Sequence, residues 1–335
     1  MIKHNYSLLR HNSFGFDIKA NHFFDYKTKE QLKEFLKDVR GLSNKLLHIG
    51  EGSNLLFTSD FEGTILHSSI KSIHIQQETD SHVFIRVGSG VVFDDFCQEM
   101  TELNFGGIEN LSLIPGQVGA AAIQNIGAYG VEIKDVIVEV EAIEIDTLHW
   151  RKFSALECQY DYRSSIFKTE LNGKYIITDV VFRLNKHSKP NIEYIALRNE
   201  FADDYEPSIQ EVREAVIRIR TSKLPDPKQF GNAGSFFKNP YCSRSHYEKL
   251  CREYSDIPHY NVSENLVKIP AAYLIEKCGF KGKRVGNVGA YTKQPLVLVN
   301  YGGASPNEII ELAQAIETKV QETFGILLER EVIYV

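Results

Sequence analysis

Three stretches of the sequence set reactive side chains among small or aromatic neighbours. GNAGSFFKNP (Gly231 to Pro240) places the Ser235 hydroxyl after small residues at 231 to 234 and before Phe236 and Phe237, with Lys238 and Asn239 close by. The small residues imply close approach of the backbone to something, and the phenylalanines are expected to wall off water. A hydrolase nucleophile is one reading, but GxSxG is absent and no paired histidine is indicated. A hydroxyl in a dry site can instead deliver a proton; a turn serine is the plain structural alternative. YDYRSSIFK (Tyr160 to Lys168) sets Arg163 among aromatic and hydroxyl residues, with Lys168 nearby. That environment suits bidentate binding of a carboxylate or phosphate, or a structural arginine stacked on Tyr160 or Tyr162. Near the C-terminus, Glu329 and Glu331 stand at i and i+2 of an expected strand and so share a face. Such a face is solvated, or, if it lines a cleft, one glutamate assists proton transfer or polarises a substrate.

Three glycine clusters accompany them: GEGSN (Gly50 to Asn54), VGSG (Val87 to Gly90) and IPGQVGAAAIQNIGAYG (Ile114 to Gly130). Glycines after strands allow positive φ and let backbone N–H groups converge on an anion such as a diphosphate. Tight turns are the structural alternative for each. The third cluster, with Gln124, Asn125 and Tyr129, reads as a loop on which a large flat ligand lies. No segment ends in Gly-Lys-Ser/Thr, which removes the P-loop. GxGxxG is also absent, which removes the usual Rossmann dinucleotide site.

The elements that must position these groups are mixed along the chain. QLKEFLKDVRG predicts a helix with Leu32, Phe35, Leu36 and Val39 on one face and Gly41 as its stop. KLLHIG predicts a buried strand running into EGSNLLF, and short β-like runs follow from Thr64 to Val87. VFDDFCQEMTEL predicts a helix with Phe93, Phe96, Met100 and Leu103 at helical spacing. VIVEVEAIEID and KYIITDVVFRL are β-branched strands. EVREAVIRIRTSKLPDP predicts a helix stopped by Pro225 and Pro227, the best candidate for a domain boundary. PAAYLIEKCG and NEIIELAQAIETKVQETFG predict further helices, QPLVLVN a strand, and GILLEREVIYV a closing strand. This mixture without regular βαβ units predicts an α+β fold.

With 335 residues, two or three domains are expected. The formal charge of −6 gives no support to nucleic-acid or membrane-surface binding, so an anionic ligand needs a local basic site. The N-terminus lacks the apolar core of a signal peptide, and no apolar run is long enough to span a membrane. Five scattered cysteines without a CxxC pair predict free thiols in a reducing cytoplasm, and no metal site.

The segments GEGSNLL, LIPGQVGAAAIQNIGAYGVE, YRSSIFK, RTSKLPDPK, GNAGSFFKNP, AAYLIEKCGFKG and LEREV, in this order, resemble the UDP-N-acetylenolpyruvoylglucosamine reductase family over roughly Phe14 to Val335. The resemblance implies an FAD-binding domain of the vanillyl-alcohol-oxidase type, made of two subdomains, and a C-terminal α+β substrate-binding domain. The implied division is 1–70 with 325–335, then 71–222, then 223–324. By resemblance, tightly bound FAD rests on Gly50, Glu51, Gly52, Ser53 and Asn54. It also rests on Pro115, Gly116, Gly119, Ala120, Gln124, Asn125, Gly127, Ala128 and Tyr129. Ser235 is the implied proton donor, with Arg163 and Glu331 completing the catalytic set. Tyr194 matches the mobile-loop tyrosine of a longer subgroup, and Lys223, Asn239 and Gln294 match substrate contacts. Family members often carry a basic residue two positions after the catalytic glutamate, where this chain has Ile333. The resemblance further implies NADPH and UDP-N-acetylenolpyruvoylglucosamine as partners in one cleft, in a cytoplasmic monomer. An oxidase of the same flavoprotein fold and a non-catalytic nucleotide-sugar binder are the competing readings.

Overall fold

The computed structural model describes residues 2–39 and 45–335, so Gly41, the expected stop of the first helix, lies outside the described residues. The chain forms two compact units. Unit 1 comprises Met1–Tyr6, Lys19–Glu51 and Glu62–Ser222; unit 2 comprises Ser7–Ile18, Gly52–Phe61 and Lys223–Val335. GEGSN is thus shared between the units, with the division between Glu51 and Gly52. Among the described residues no helix is long and apolar enough to cross a membrane.

Unit 1 is built on two sheets. The first has the order Lys3–Ser7, Lys19–Tyr26, Phe61–Ser68, Leu46–Ile49, the last two strands running parallel. Helix Lys29–Val39 buries Leu32, Phe35 and Leu36 against Phe24, Tyr26 and Leu66 of this sheet. The strand Leu46–Ile49, expected to be buried, is buried only at Ile49 and partly elsewhere. The second sheet is antiparallel throughout, in the order Trp150–Ser154, Ile137–Glu144, Tyr175–Asn185, His82–Gly88, Ile73–Glu78. Alternate residues (Val83, Ile85, Val87; Val180, Phe182, Leu184) enter one core, as the two-residue strand period requires. Helix Phe93–Glu102 fills that core with Phe93, Phe96 and Met100. Leu103, expected on the same stripe, is instead 50% exposed. It is the helix C-cap, with φ −81° and ψ 2°, where the chain leaves the helix and carries the side chain off the stripe.

One partly buried group in this unit sets an acid limit on stability. His48 Nε2 lies 2.8 Å from the Tyr26 hydroxyl. Burial, reinforced by the nearby His67 charge, pushes the His48 imidazole down to about 3. In the unfolded chain it protonates near ~6.5. Between those values the unfolded state holds more protons, so stability rises with pH and is lost as pH falls from about 6.5 toward about 3. Replacing His48 with Gln, which keeps an acceptor for Tyr26, is expected to flatten the fall of Tm across the upper part of that window. An unchanged slope in thermal melts would show that His48 is not the group responsible.

Unit 2 gathers one core under helix Pro306–Phe324. Ser305 and Glu308 form a reciprocal capping box, Pro306 occupies the first turn and Gly325 closes the helix at φ 65°. Its Ile309, Leu312, Ala313, Ile316 and Val320 pack with Val288, Leu298, Ile269 and Leu274. Two small sheets, Arg284–Val285/Val288–Ala290/Leu298–Asn300 and Tyr241–Ser243/Leu266–Lys268/Tyr260–Asn261, complete it. Of the expected closing strand only Ile333–Tyr334 is regular, parallel to Leu55–Leu56. Residues 326–332 form no regular ladder, because they bond to GNAGSFFKNP in single steps: Lys238 N–H to the Glu329 carbonyl (2.8 Å) and Glu331 N–H to the Phe236 carbonyl (2.8 Å).

Candidate active site

Ser235 sits on an extended segment held from both sides within unit 2. Ser235 bridges to Val297, and Phe236 N–H donates to the Leu296 carbonyl at 2.8 Å. On the other side the Phe236 carbonyl accepts from Glu331 N–H, so Glu331 is tied to the residue that follows Ser235. Asn54, assigned from the sequence to the cofactor, donates its Nδ2 to the Glu331 carbonyl at 3.1 Å and braces the same strand. Phe236 and Phe237 are fully buried with Phe14 and Tyr334 nearby. They anchor the segment in the core, which corrects their expected role as walls of the site. They are core side chains because the segment is covered on both faces.

The glycines of this motif do two different things. A Cβ on Gly231 would lie 2.0 Å from the Phe14 carbonyl oxygen, so the partner of the close approach is the protein's own 7–18 segment. Gly234 has φ +69° and nothing within 4 Å of a built Cβ, so it serves the turn and leaves space before Ser235. Asn232, unremarked in the sequence, is buried and accepts from Gly234 N–H at 3.0 Å while donating to the Phe230 carbonyl at 2.8 Å. Asn two residues before a turn glycine is the available signal for it.

The two C-terminal glutamates do not share an environment, contrary to the strand expectation. Glu329 is exposed and ion-pairs with Lys238, whereas Glu331 is partly buried. Arg330 between them makes a bidentate pair with Glu317 on helix Pro306–Phe324, with Nη2 to Oε2 at 2.7 Å. Ile333 is 40% exposed. Asn239 Oδ1 accepts from Ala271 N–H at 2.9 Å and so holds the start of helix Ala271–Lys277. Gln294 Oε1 is buried without a hydrogen-bond partner among the described residues, an acceptor suited to a ligand donor. Lys223 is exposed.

In unit 1 the Tyr160–Lys168 turn is lashed to the Ile114–Gly130 loop. Arg163 Nη2 donates to the Gly127 carbonyl at 2.6 Å, and Nη1 stands 4.0 Å from Glu132. A Cβ on Gly127 would meet Arg163 Nη1 and Glu132 Cγ at 2.9 Å, so glycine there makes room for the guanidinium. Asn125 donates to the Asp161 carbonyl (2.9 Å) and Ser165 Oγ to the Ile123 carbonyl (2.7 Å). Arg163, Asn125 and Tyr129 have φ +53°, +46° and +49°. Left-handed backbone costs a side-chain-bearing residue roughly 1–2 kcal/mol, and such strain clusters at functional sites. The guanidinium also lies 5.2 Å from the Tyr162 ring, so the stacking alternative coexists with a bonded head group.

Tyr129 and Tyr194 meet edge to face at 5.3 Å. Tyr194 is 40% exposed at the start of helix Ile195–Arg198. Arg220, which the sequence reading passed over, is hydrogen-bonded to Tyr129; burial raises the Tyr129 phenol and lowers the Arg220 guanidinium. Arg220 Nε has no partner, and no carboxylate ion-pairs with it among the described residues; the nearby Asp94 is bonded to Arg213 at 2.7 Å. A partly buried cation that no carboxylate contacts directly among the described residues suits an anionic ligand group.

The glycine clusters of unit 1 converge as well. Glu51 accepts from Gly116 N–H at 2.9 Å, and a Cβ on Gly119 would lie 2.7 Å from Ser89 Cβ. Helix Val118–Gln124 begins there, and its Val118 and Gly119 N–H groups go to Val91 and Ser89. The Ala120 N–H has no acceptor among the described residues, and residues 114–124 carry no acidic side chain. An open donor at a helix start, among small uncharged side chains, fits a diphosphate oxygen of FAD. Gly88 and Gly90, however, serve close packing of one backbone on another: built Cβ atoms there would meet the Ile70 and Ser68 carbonyl oxygens at 2.4 Å.

Comparison with known proteins agrees. The FAD binding domain family matches residues 20–147, and the C-terminal domain of UDP-N-acetylenolpyruvoylglucosamine reductase matches 226–335. By fold, the chain is similar to the reductase structure from Thermus caldophilus (TM-score 0.70, 22% identity, 100% of this chain and 98% of that one). It is also similar to 6-hydroxy-D-nicotine oxidase from Arthrobacter nicotinovorans (TM-score 0.56, 13% identity, 98% and 86%). The fold is α+β, with an FAD-binding domain and the C-terminal domain of the reductase family, and the protein is an FAD-dependent oxidoreductase. Similarity reaches 45% identity over the full length of both chains with the UDP-N-acetylenolpyruvoylglucosamine reductase of Bacteroides fragilis. It is 44% with that of Flavobacterium johnsoniae, over 99% of this chain and 98% of the relative. The chain belongs to the UDP-N-acetylenolpyruvoylglucosamine reductase family, whose flavin-dependent reduction serves peptidoglycan precursor synthesis.

Proposed function

We propose that the chain reduces the enolpyruvyl ether of UDP-N-acetylglucosamine to UDP-N-acetylmuramate with NADPH as electron donor, Ser235 supplying the proton. The observation that carries this reading is the two-sided clamp on Ser235, which ties the hydroxyl's strand to Glu331 at 2.8 Å. The proposed division of labour is 1–70 with 325–335 and 71–222 for the cofactor, and 223–324 for the substrate. FAD would be held along Gly50–Asn54 and by Pro115, Gly116, Gly119, Ala120, Gln124, Asn125, Gly127, Ala128 and Tyr129. Tyr194, Lys223, Asn239 and Gln294 would contact the nucleotide sugar, and the partnerless Gln294 Oε1 supports that role.

FAD held by these residues would supply hydride chemistry between NADPH and C3 of the enolpyruvyl group. Arg163 and Glu331 then polarise the substrate carboxylate as negative charge develops at C2, where preorganised groups act most strongly. Ser235 gives its hydroxyl proton to C2, completing the new C–H bond, and recovers a proton from solvent. In the test, purified holoenzyme with NADPH and the enolpyruvyl ether consumes one NADPH per product molecule, heavier by the two added hydrogens. Oxygen uptake on simple alcohols, with no NADPH oxidised, would contradict the reading.

A further inference from the structure

Arg163 is held at φ +53°, a conformation its side chain disfavours, so something in the fold must hold the turn there. Asp161 and Ser164 close the turn with backbone bonds of 3.1 and 3.0 Å. Lys168, ending the 3-10 turn Ile166–Lys168, donates from Nζ to the Arg163 carbonyl at 2.9 Å and to Gln124 Oε1 at 2.8 Å. Gln124 ends helix Val118–Gln124, three residues before Gly127, whose carbonyl accepts from Arg163 Nη2. One loop therefore grips Arg163 twice, by its main chain through Lys168 and by its guanidinium directly.

We propose that Lys168 is a positioning residue for Arg163: its ammonium pins the Arg163 carbonyl to Gln124, and so aims the guanidinium at the substrate carboxylate. The chemistry fits a lysine. An ammonium has donors enough for two oxygens that approach from different directions, and bonds from a charged donor are stronger than those from a neutral one. Its charge also adds to the positive potential that a carboxylate meets at Arg163. The assignment rests on the reading that Arg163 polarises the substrate.

The test compares Lys168→Met, Lys168→Arg, Arg163→Met and the double variant as holoenzymes, following flavin absorbance through each half-reaction. Lys168→Met is expected to be reduced by NADPH at a near-normal rate and to keep its melting temperature and flavin content. Its reoxidation by the enolpyruvyl ether is expected to slow by about tenfold to a hundredfold, the size of effect that a small misplacement produces. Lys168→Arg, which can serve both oxygens, should recover most of the rate. The decisive comparison is the double variant. If Lys168 acts through Arg163, adding Lys168→Met to Arg163→Met slows reoxidation no further. A full additional slowing would overturn the proposal in favour of a general structural role. Normal reoxidation in Lys168→Met beside slow Arg163→Met would overturn it while leaving the Arg163 reading intact. Normal reoxidation in Arg163→Met would instead overturn that underlying reading.

Discussion

Ser235→Ala is expected to be reduced by NADPH at close to the wild-type rate, yet to be reoxidised by the enolpyruvyl ether at least about a hundredfold more slowly. A positioned proton donor contributes roughly 10²–10⁴ in rate, and the substitution removes only the donor. The segment that carries the hydroxyl owes its position to main-chain bonds with Leu296 and Glu331 and to the buried Phe236 and Phe237. None of these uses the Ser235 Oγ, so the backbone should stay in place and melting temperature should change little. The asymmetry between half-reactions is what assigns the role. Equal losses in both would point to damaged binding, and no loss in either would remove Ser235 from the chemistry.

The second large effect falls on stability and separates two glycines three positions apart. Gly231→Ala is expected to cost about 1–3 kcal/mol or more, the range for overpacking, because the new Cβ would stand 2.0 Å from the Phe14 carbonyl oxygen. Both strands at that contact are bonded in place: Asn232 N–H to the Ser13 carbonyl at 2.9 Å, and Asn300 N–H to the Gly231 carbonyl at 2.7 Å. Neither backbone can retreat without breaking a hydrogen bond. Gly234→Ala meets no neighbour but must adopt φ +69°, a strain of roughly 1–2 kcal/mol. Asn at 234 should recover part of that loss, since it tolerates left-handed backbone, whereas Asn at 231 should be worse than Ala. Denaturant midpoints of the four variants provide the check; equal costs for Gly231→Ala and Gly234→Ala, both relieved by Asn, would refute the distinction.

The helices and strands were legible in the sequence where periodicity is local. The Phe93/Phe96/Met100 stripe and the capped helix Pro306–Phe324 follow from spacing and end residues alone. Leu103 was misread because the sequence shows the spacing of apolar residues but not where the last turn unwinds. The closing strand was over-extended for a related reason: GILLEREVIYV has strand composition, but its partner for residues 326–332 is GNAGSFFKNP, some ninety positions earlier. The candidate site was legible only as residue types, since Ser235, Arg163 and Glu331 all lie in motifs that stand out. Their supports were not. Asn54 bracing Glu331, Asn232 setting the turn before Ser235, and Lys168 gripping Arg163 are side-chain to main-chain bonds, and no periodicity announces them. The glycines were read as ligand cradles, yet Gly52, Gly88 and Gly90 make room for another backbone, which only the fold brings near.

The most direct measurement of the central claim is a single turnover of holoenzyme reduced anaerobically with NADPH and freed of NADP⁺. On mixing with the enolpyruvyl ether of UDP-N-acetylglucosamine, the oxidised flavin spectrum should return, with one UDP-N-acetylmuramate formed per flavin. A flavin that stays reduced until oxygen is admitted, with the ether unchanged, would contradict the account.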